Sequence, residues 1–236
     1  DYQGRRHVFG ARHNFCPSSK NYRRLAKNLV EQLAKRYGDN PHIVAWHVNN
    51  EYGGNCYCEE CQTEFQQWLK ARYQTLDNLN HAWNMNVWSH TIHDWNEIVV
   101  PNELGDAWGL EGSETIVAGL SIDYLRFQST QMLDLFKMEK RIIEKYDPTT
   151  LVTTNFHSLP NKMIDYQQWA SAQDIISYDS YPAYDAPVYQ PAFLYDLMRS
   201  LKHQPFMLME STPSQVNWQP YSPLKRPGQM AATELQ

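Results

Sequence analysis

The sequence predicts an α/β fold that is part of a (β/α)8 barrel, and three observations predict it. Short apolar runs alternate with segments of helical period four times along the chain, the pattern of βα units feeding a parallel sheet. No glycine-rich phosphate turn follows any of these runs, and the whole chain holds only 10 glycines, which counts against an open nucleotide-binding sheet. Polar residues instead gather just past the expected strand ends: Asn49-Asn50-Glu51, Asn155 with His157, Asp179 to Tyr181, and Glu210-Ser211. Functional groups at the C-terminal ends of several strands are the habit of barrels.

The elements follow in order. Ser18 or Ser19 can cap a helix over 21–37, with Leu25, Leu29, Leu33 and Tyr37 at four-residue spacing and Gly38 at its end. The run 43–48 is too short for a helix and is bounded by turn residues, so it fits a buried strand. A helix over 59–73 places Phe65, Trp68 and Leu69 on one side. The stretch 76–120 is long, aromatic and irregular, and reads as short helices within a functional excursion. Trp83, Trp88, Trp95 and Trp108 make it too apolar for a wholly solvated loop, so part of it must bury against the barrel or another chain. A long helix over 121–146 turns Leu125, Met132, Phe136 and Ile143 inward and stops at Asp147-Pro148. Then come a strand at 151–156, a helix at 163–172, a strand at 174–178, a helix at 191–202 and a strand at 206–209. Neither a tandem repeat nor a low-complexity tract interrupts them.

Composition narrows the function. The 236 residues are 42% hydrophobic and 13% aromatic with a net charge of −5, enough for one large domain or two small ones. The mixed charges supply no basic field for a phosphate backbone, so nucleic acid is not an expected partner. No apolar run approaches the roughly 20 residues of a membrane span. Eight tryptophans suit a carbohydrate surface, although large aromatics chiefly fill cores. The chain opens on Asp1, shows no signal-peptide pattern, and closes on Met-Ala-Ala-Thr-Glu-Leu-Gln, which looks like mid-helix. It reads as a piece of a longer protein, with half a barrel whose open sheet edges should keep it from folding well alone.

Two glutamates occupy matched places. Glu51 follows the run 43–48, and Glu210 follows 206–209, each where a buried strand opens into a loop. Facing carboxyls across a pocket suit glycoside hydrolysis, one giving a proton to the leaving oxygen and the other attacking the anomeric carbon. Asn50-Glu51-Tyr52-Gly53 after a tryptophan-bearing strand, with Met209-Glu210-Ser211-Thr212-Pro213-Ser214 near the far end, resembles glycoside hydrolase family 42, a β-galactosidase family. The resemblance covers nearly the whole chain and implies retaining β-galactosidase chemistry on strands four to seven of the barrel, with Glu51 as acid/base and Glu210 as nucleophile. Strands one to three, strand eight and the later domains have no counterpart in this chain. The resemblance further implies that Asn50 bonds the sugar 2-OH and that Arg12, Trp218 and Tyr181 line the sugar subsite. It implies a homotrimer in which Trp88 reaches a neighbour's pocket. Related activities on β-glucosides or α-L-arabinopyranosides stay open, as does a non-catalytic carbohydrate-binding barrel.

All four cysteines lie between positions 16 and 61: Cys16, then Cys56-Tyr57-Cys58-Glu59-Glu60-Cys61. Neighbours this close seldom pair without strain. A tetrahedral Zn²⁺ held by Cys56, Cys58 and Cys61, with Cys16 completing the set, suits them better than disulfides. The resemblance implies the same four-cysteine zinc site, a closed structural one that braces the loop behind Glu51 and takes no part in bond cleavage. Reduced thiolates favour the cytoplasm. The nine histidines show no metal-ligand spacing and no serine-nucleophile elbow is present. A rival class, an interaction protein whose main site is the zinc module, would leave both glutamates dispensable.

Overall fold

The computed structural model describes residues 1–10, 12–104, 107–108, 114–115, 117–157, 163–183, 186–212, 216 and 228. The chain forms two compact units, Asp1–Gln32 with Gly53–Glu139 and Leu33–Tyr52 with Lys140–Gln236. Two long helices, α1 (Lys20–Tyr37) and α4 (Ala118–Tyr146), each carry residues of both.

In the first unit, α2 (Glu59–Tyr73) and α3 (Leu76–Trp83) follow α1, and a single 3-10 turn at Trp95–Glu97 lies in the long aromatic stretch. Two-residue strands β2 (Ala107–Trp108) and β3 (Glu114–Thr115) pair antiparallel. Phe65, Leu69, Leu79, Trp83, Tyr124 and Phe127 form the core. Asp123 is buried within it because its carboxylate is fully employed. It accepts from the Tyr73 hydroxyl (2.6 Å) and the Trp83 indole N–H (2.9 Å) and pairs with Arg126 (2.9 Å). The α4 helix begins at Ala118, three residues ahead of the expected start, and Gly119 is why that end is hard to read. A Cβ there would stand 2.4 Å from Trp83 Cδ1, so glycine serves close packing inside a helix and does not end one. Phe65, Leu69, Met132, Phe136 and Ile143 are buried as expected, with Trp68 and Leu125 half-buried.

The second unit holds the parallel strands. β1 (Ala45–His47) pairs with β4 (Leu151–Thr153), and after a break at Thr154, β5 (Asn155–Phe156) pairs with β6 (Ser177–Ser180), which pairs with β7 (Met207–Ser211). Helices α5 (Tyr166–Ala172) and α6 (Tyr189–Lys202) separate the later strands in sequence. Successive parallel strands, each neighbouring the next and joined through helices, make this a partial (β/α)8 barrel.

Two expectations need correction. The strand expected at 174–178 is Ser177–Ser180, because Asp174 is engaged outside the sheet: it pairs with Lys140 and accepts the Val152 N–H (2.8 Å). Asp179 thus lies within β6, and because β7 runs on to Ser211, Glu210 lies within β7, neither past its strand's end. The stripe Leu25, Leu29, Leu33 and Tyr37 along α1 is exposed, with Leu29 at 62%, so its four-residue spacing marks no buried face among the described residues.

Candidate active site

β1 ends at His47, and the chain then turns sharply. Asn49 and Glu51 both take left-handed backbone (φ 59° and 49°), which costs non-glycine residues about 1–3 kcal/mol where it is not offset. The turn brings the Glu51 side chain into a buried position, with only 7% of the residue exposed. Asn155 at the start of β5 holds it there: its Oδ1 accepts the Glu51 backbone N–H (2.8 Å) and also bonds His47 Nε2 (2.8 Å), which must then be the donor.

The same asparagine reaches the other side of the site with its amide nitrogen. Asn155 Nδ2 donates to Asp179 Oδ2 (2.6 Å), to Glu210 Oε1 (3.2 Å) and to Asn50 Oδ1 (3.2 Å). One buried amide thus ties together five residues.

Glu210 owes its position to an irregularity in β7. Tyr178 pairs with Leu208 but Asp179 pairs with Glu210, so Met209 is an extra residue on that strand. Without this bulge Asp179 would face Met209, and Glu210 would project from the opposite face of the sheet. The Tyr181 hydroxyl, just beyond β6, donates to Glu210 Oε2. Burial and that carboxylate bond push the Tyr181 phenol upward, so it stays a donor.

A carboxyl oxygen from each of Glu51, Asp179 and Glu210 lies within 4.8 Å of the other two. Asp179 is 3% exposed, and burial, followed by the Glu210 and Glu51 charges, pushes it up to about 8. Like charges at this spacing repel, which favours a proton on Asp179. The cluster can place an anionic oxygen and a protonated one on either side of a small group.

Of the expected sugar contacts, Asn50 and Tyr181 join this cluster directly. Arg12 and Trp88 belong to the first unit and are exposed, Trp88 by 76% and from a left-handed backbone (φ 52°). Trp218 lies outside the described residues, as do 230–236 and most of the segment following Thr212. Sequence reasoning grouped Asn155 and Asp179 with other polar residues but gave neither a role. Their signal was there: a buried asparagine and aspartate inside short barrel strands each require a partner.

The cysteines converge in the first unit. All four are free thiols, and their sulfurs lie within 4.8 Å of one another, with Cys16 Sγ 3.6 Å from Cys58 and 3.4 Å from Cys61. Four thiolates about 2.3 Å from a tetrahedral ion would stand about 3.8 Å apart, close to this spacing. Hydrogen bonds to Cys56 and Cys61, with burial, push the Cys16 thiol above its ordinary range. The α4 helix grips the backbone between them: Cys56 N–H donates to Gln128 Oε1 (3.3 Å), and Tyr124 Oη (2.5 Å) and Gln128 Nε2 (3.1 Å) donate to the Cys56 carbonyl. The donor set fits zinc.

Comparison with known proteins places this geometry in context. A family model described as β-galactosidase, glycoside hydrolase family 42, matches residues 1–236. The β-galactosidase LacZ of Lactobacillus acidophilus is 79% identical over 236 residues, covering 100% of this chain and 35% of the relative. The β-galactosidase BgaP of a Planococcus species is 49% identical, covering 98% of this chain and 34% of its own. The crystal structure of β-galactosidase from Bacillus circulans sp. alkalophilus superposes with a TM-score of 0.92 at 52% identity, covering 98% of this chain and 34% of that one. The cold-adapted β-galactosidase of Rahnella sp. R3 gives 0.89 at 42% identity, covering 97% and 33%. The chain spans about a third of the length of the curated relatives it matches.

Proposed function

Because the chain belongs to the β-galactosidases of glycoside hydrolase family 42, we propose that the whole protein releases terminal β-D-galactose from β-galactosides with retention of configuration. The observation that carries this reading is the approach of Glu51 and Glu210, with an oxygen of each within 4.8 Å. Inversion requires roughly 6.5–9.5 Å between the carboxyls to admit a water, whereas a covalent route works at about 5–5.5 Å. Glu210 is the nucleophile, its two carboxylate oxygens held by the Asn155 N–H and the Tyr181 O–H. Glu51 is the acid/base, protonating the departing oxygen and then taking a proton from the water that releases galactose. Asn50 bonds the sugar 2-OH as positive charge develops at the anomeric carbon. Proton NMR during the first seconds of hydrolysis should show β-galactose before mutarotation, and α-galactose as the first product would overturn the assignment.

Arg12 and Trp218 complete the galactose subsite, and Trp88 closes the pocket of a neighbouring subunit in a trimer. The exposed Trp88 indole supports that last role, since a large apolar ring held in solvent suits a surface that is covered in an assembly. Trp88→Ala in the whole protein should raise KM about three- to tenfold with an unchanged melting temperature, the scale of one lost aromatic contact. A monomeric protein with full activity would defeat this placement.

Cys16, Cys56, Cys58 and Cys61 would hold a zinc ion, which supplies loop cross-linking and no bond chemistry. Four reduced thiols fit residence in the cytoplasm. No helix among the described residues is long and apolar enough to cross a membrane. Chelation of the whole protein should lower thermal stability more than it lowers the rate per folded molecule. Loss of about 3 kcal/mol would move the Tm by roughly 6–12 °C in a domain of this size. An unchanged Tm after metal removal would exclude the structural role.

A further inference from the structure

Glu51 and Glu210 share their cluster with a third carboxyl. Glu210 receives an N–H from Asn155 and an O–H from Tyr181. The Glu51 carboxyl has an oxygen within 4.8 Å of a third carboxyl, that of Asp179 on β6. Asp179 Oδ2 is fixed by Asn155 Nδ2 at 2.6 Å, while Oδ1 is buried and has no N–H or O–H donor among the described residues. Two carboxyls meeting in this way repel unless a proton lies between them.

We propose that Asp179 is a positioning residue that shares one proton with Glu51, so that Glu51 stands protonated when substrate arrives. This rests on the reading of Glu51 as acid/base.

The groups facing Asp179 allow the charge to be followed. They are Glu51 from the turn after β1, Glu210 from β7, Tyr178 and Tyr181 from β6 and its exit, and neutral Asn155 from β5. Before reaction, Glu210 carries one negative charge and the Glu51–Asp179 pair, with its single proton, carries the other. In the first step the Glu210 oxygen bonds the anomeric carbon, the glycosidic C–O bond breaks, and the leaving oxygen takes the proton of the pair. Glu210 is then an uncharged ester, while Glu51 and Asp179 are both anionic. The site holds two negative charges before and after, so the transfer needs no outside counter-ion. The new repulsion within the pair raises the basicity of Glu51 at the stage where it must deprotonate water. Two carboxyls sharing one proton titrate as a unit.

The test compares kcat/KM against pH for the whole wild-type protein and Asp179→Asn, on lactose and on 2,4-dinitrophenyl β-galactoside. An asparagine amide would donate to Glu51 and favour its carboxylate, so the basic limb on lactose should fall by one pH unit or more. The loss on the dinitrophenyl substrate, whose leaving group needs no proton, should be at least tenfold smaller. A basic limb that stays in place, or an equal loss on both substrates at every pH, would overturn the proposal. If Asp179→Asn does not fold, infrared spectra of the wild-type protein serve instead. A protonated-carboxyl band at pH 7 that shifts on 13C-aspartate labelling is expected, and the absence of any aspartate-derived band overturns the sharing. Glu51→Ala separates the two readings. If it fails to distinguish the leaving groups, the acid/base assignment itself falls; if it distinguishes them and Asp179→Asn leaves the limb in place, only the role of Asp179 falls.

Discussion

Glu210→Ala in the whole protein is expected to lower kcat/KM by about 10^4-fold or more, the scale on which removing a covalent nucleophile acts. Three features should identify the loss as chemical. A 2-fluoro galactoside that labels the wild-type protein should form no adduct, because the carboxylate that attacks the anomeric carbon is gone. Azide should restore turnover and give the α-galactosyl azide, since it enters from the face that Glu210 vacates. Stability should be unchanged or raised, because Glu210 shares a 4.8 Å cluster with Glu51 and Asp179 and its removal relieves like-charge repulsion. A melting temperature that falls by 10 °C would show instead that Glu210 holds the fold. Residual activity above a few per cent would exclude it as nucleophile.

Glu51→Ala carries the second large effect. Hydrolysis of lactose should slow by about 10^2- to 10^4-fold, the usual worth of general acid–base catalysis. Galactosylation by a dinitrophenyl substrate should stay within about tenfold of wild type, so the galactosyl-enzyme accumulates and a burst appears ahead of slow hydrolysis. Azide, which needs no general base, should speed the second step and give β-galactosyl azide. The basic limb of the pH profile should vanish with the side chain that produces it. Equal losses on lactose and the activated substrate would remove Glu51 from the acid/base role.

Much of this arrangement is legible in the sequence, and what is not has physical causes. The α2 helix falls at the expected residues, because Phe65 and Leu69 repeat at helical spacing and Tyr73 ends the pattern. The strands are harder to bound. Thr153, Asn155, Ser177, Asp179 and Ser180 are all buried, and a search for apolar runs undervalues such residues when the inside of the sheet is itself polar. Glu51 and Glu210 stand out through their place after apolar runs, yet neither the left-handed turn at Asn49 and Glu51 nor the bulge at Met209 can be read from composition. The cysteines are the opposite case. Thiol chemistry leaves so few outcomes for three cysteines within six residues that spacing alone indicates their convergence. The exposed stripe on α1 shows periodicity at its weakest: four-residue spacing identifies a helix face, but what lies against that face is a property of the rest of the chain.

Asn155 carries a consequence for how this site can vary over evolutionary time. Its amide offers an acceptor toward Glu51 N–H and His47 and a donor toward Asp179, Glu210 and Asn50, all from one short side chain. Aspartate matches the shape but would set a fourth carboxylate among three. Leucine matches the volume but would abandon five polar groups. Glutamine carries the same amide but displaces it by a methylene from these partners. Each of these replacements therefore injures several neighbours at once, and no change at one of those neighbours repairs the others. Position 155 is an evolutionary ratchet: the residues around it can drift only in ways that keep an asparagine there useful, so this amide restricts the sequences open to the whole site.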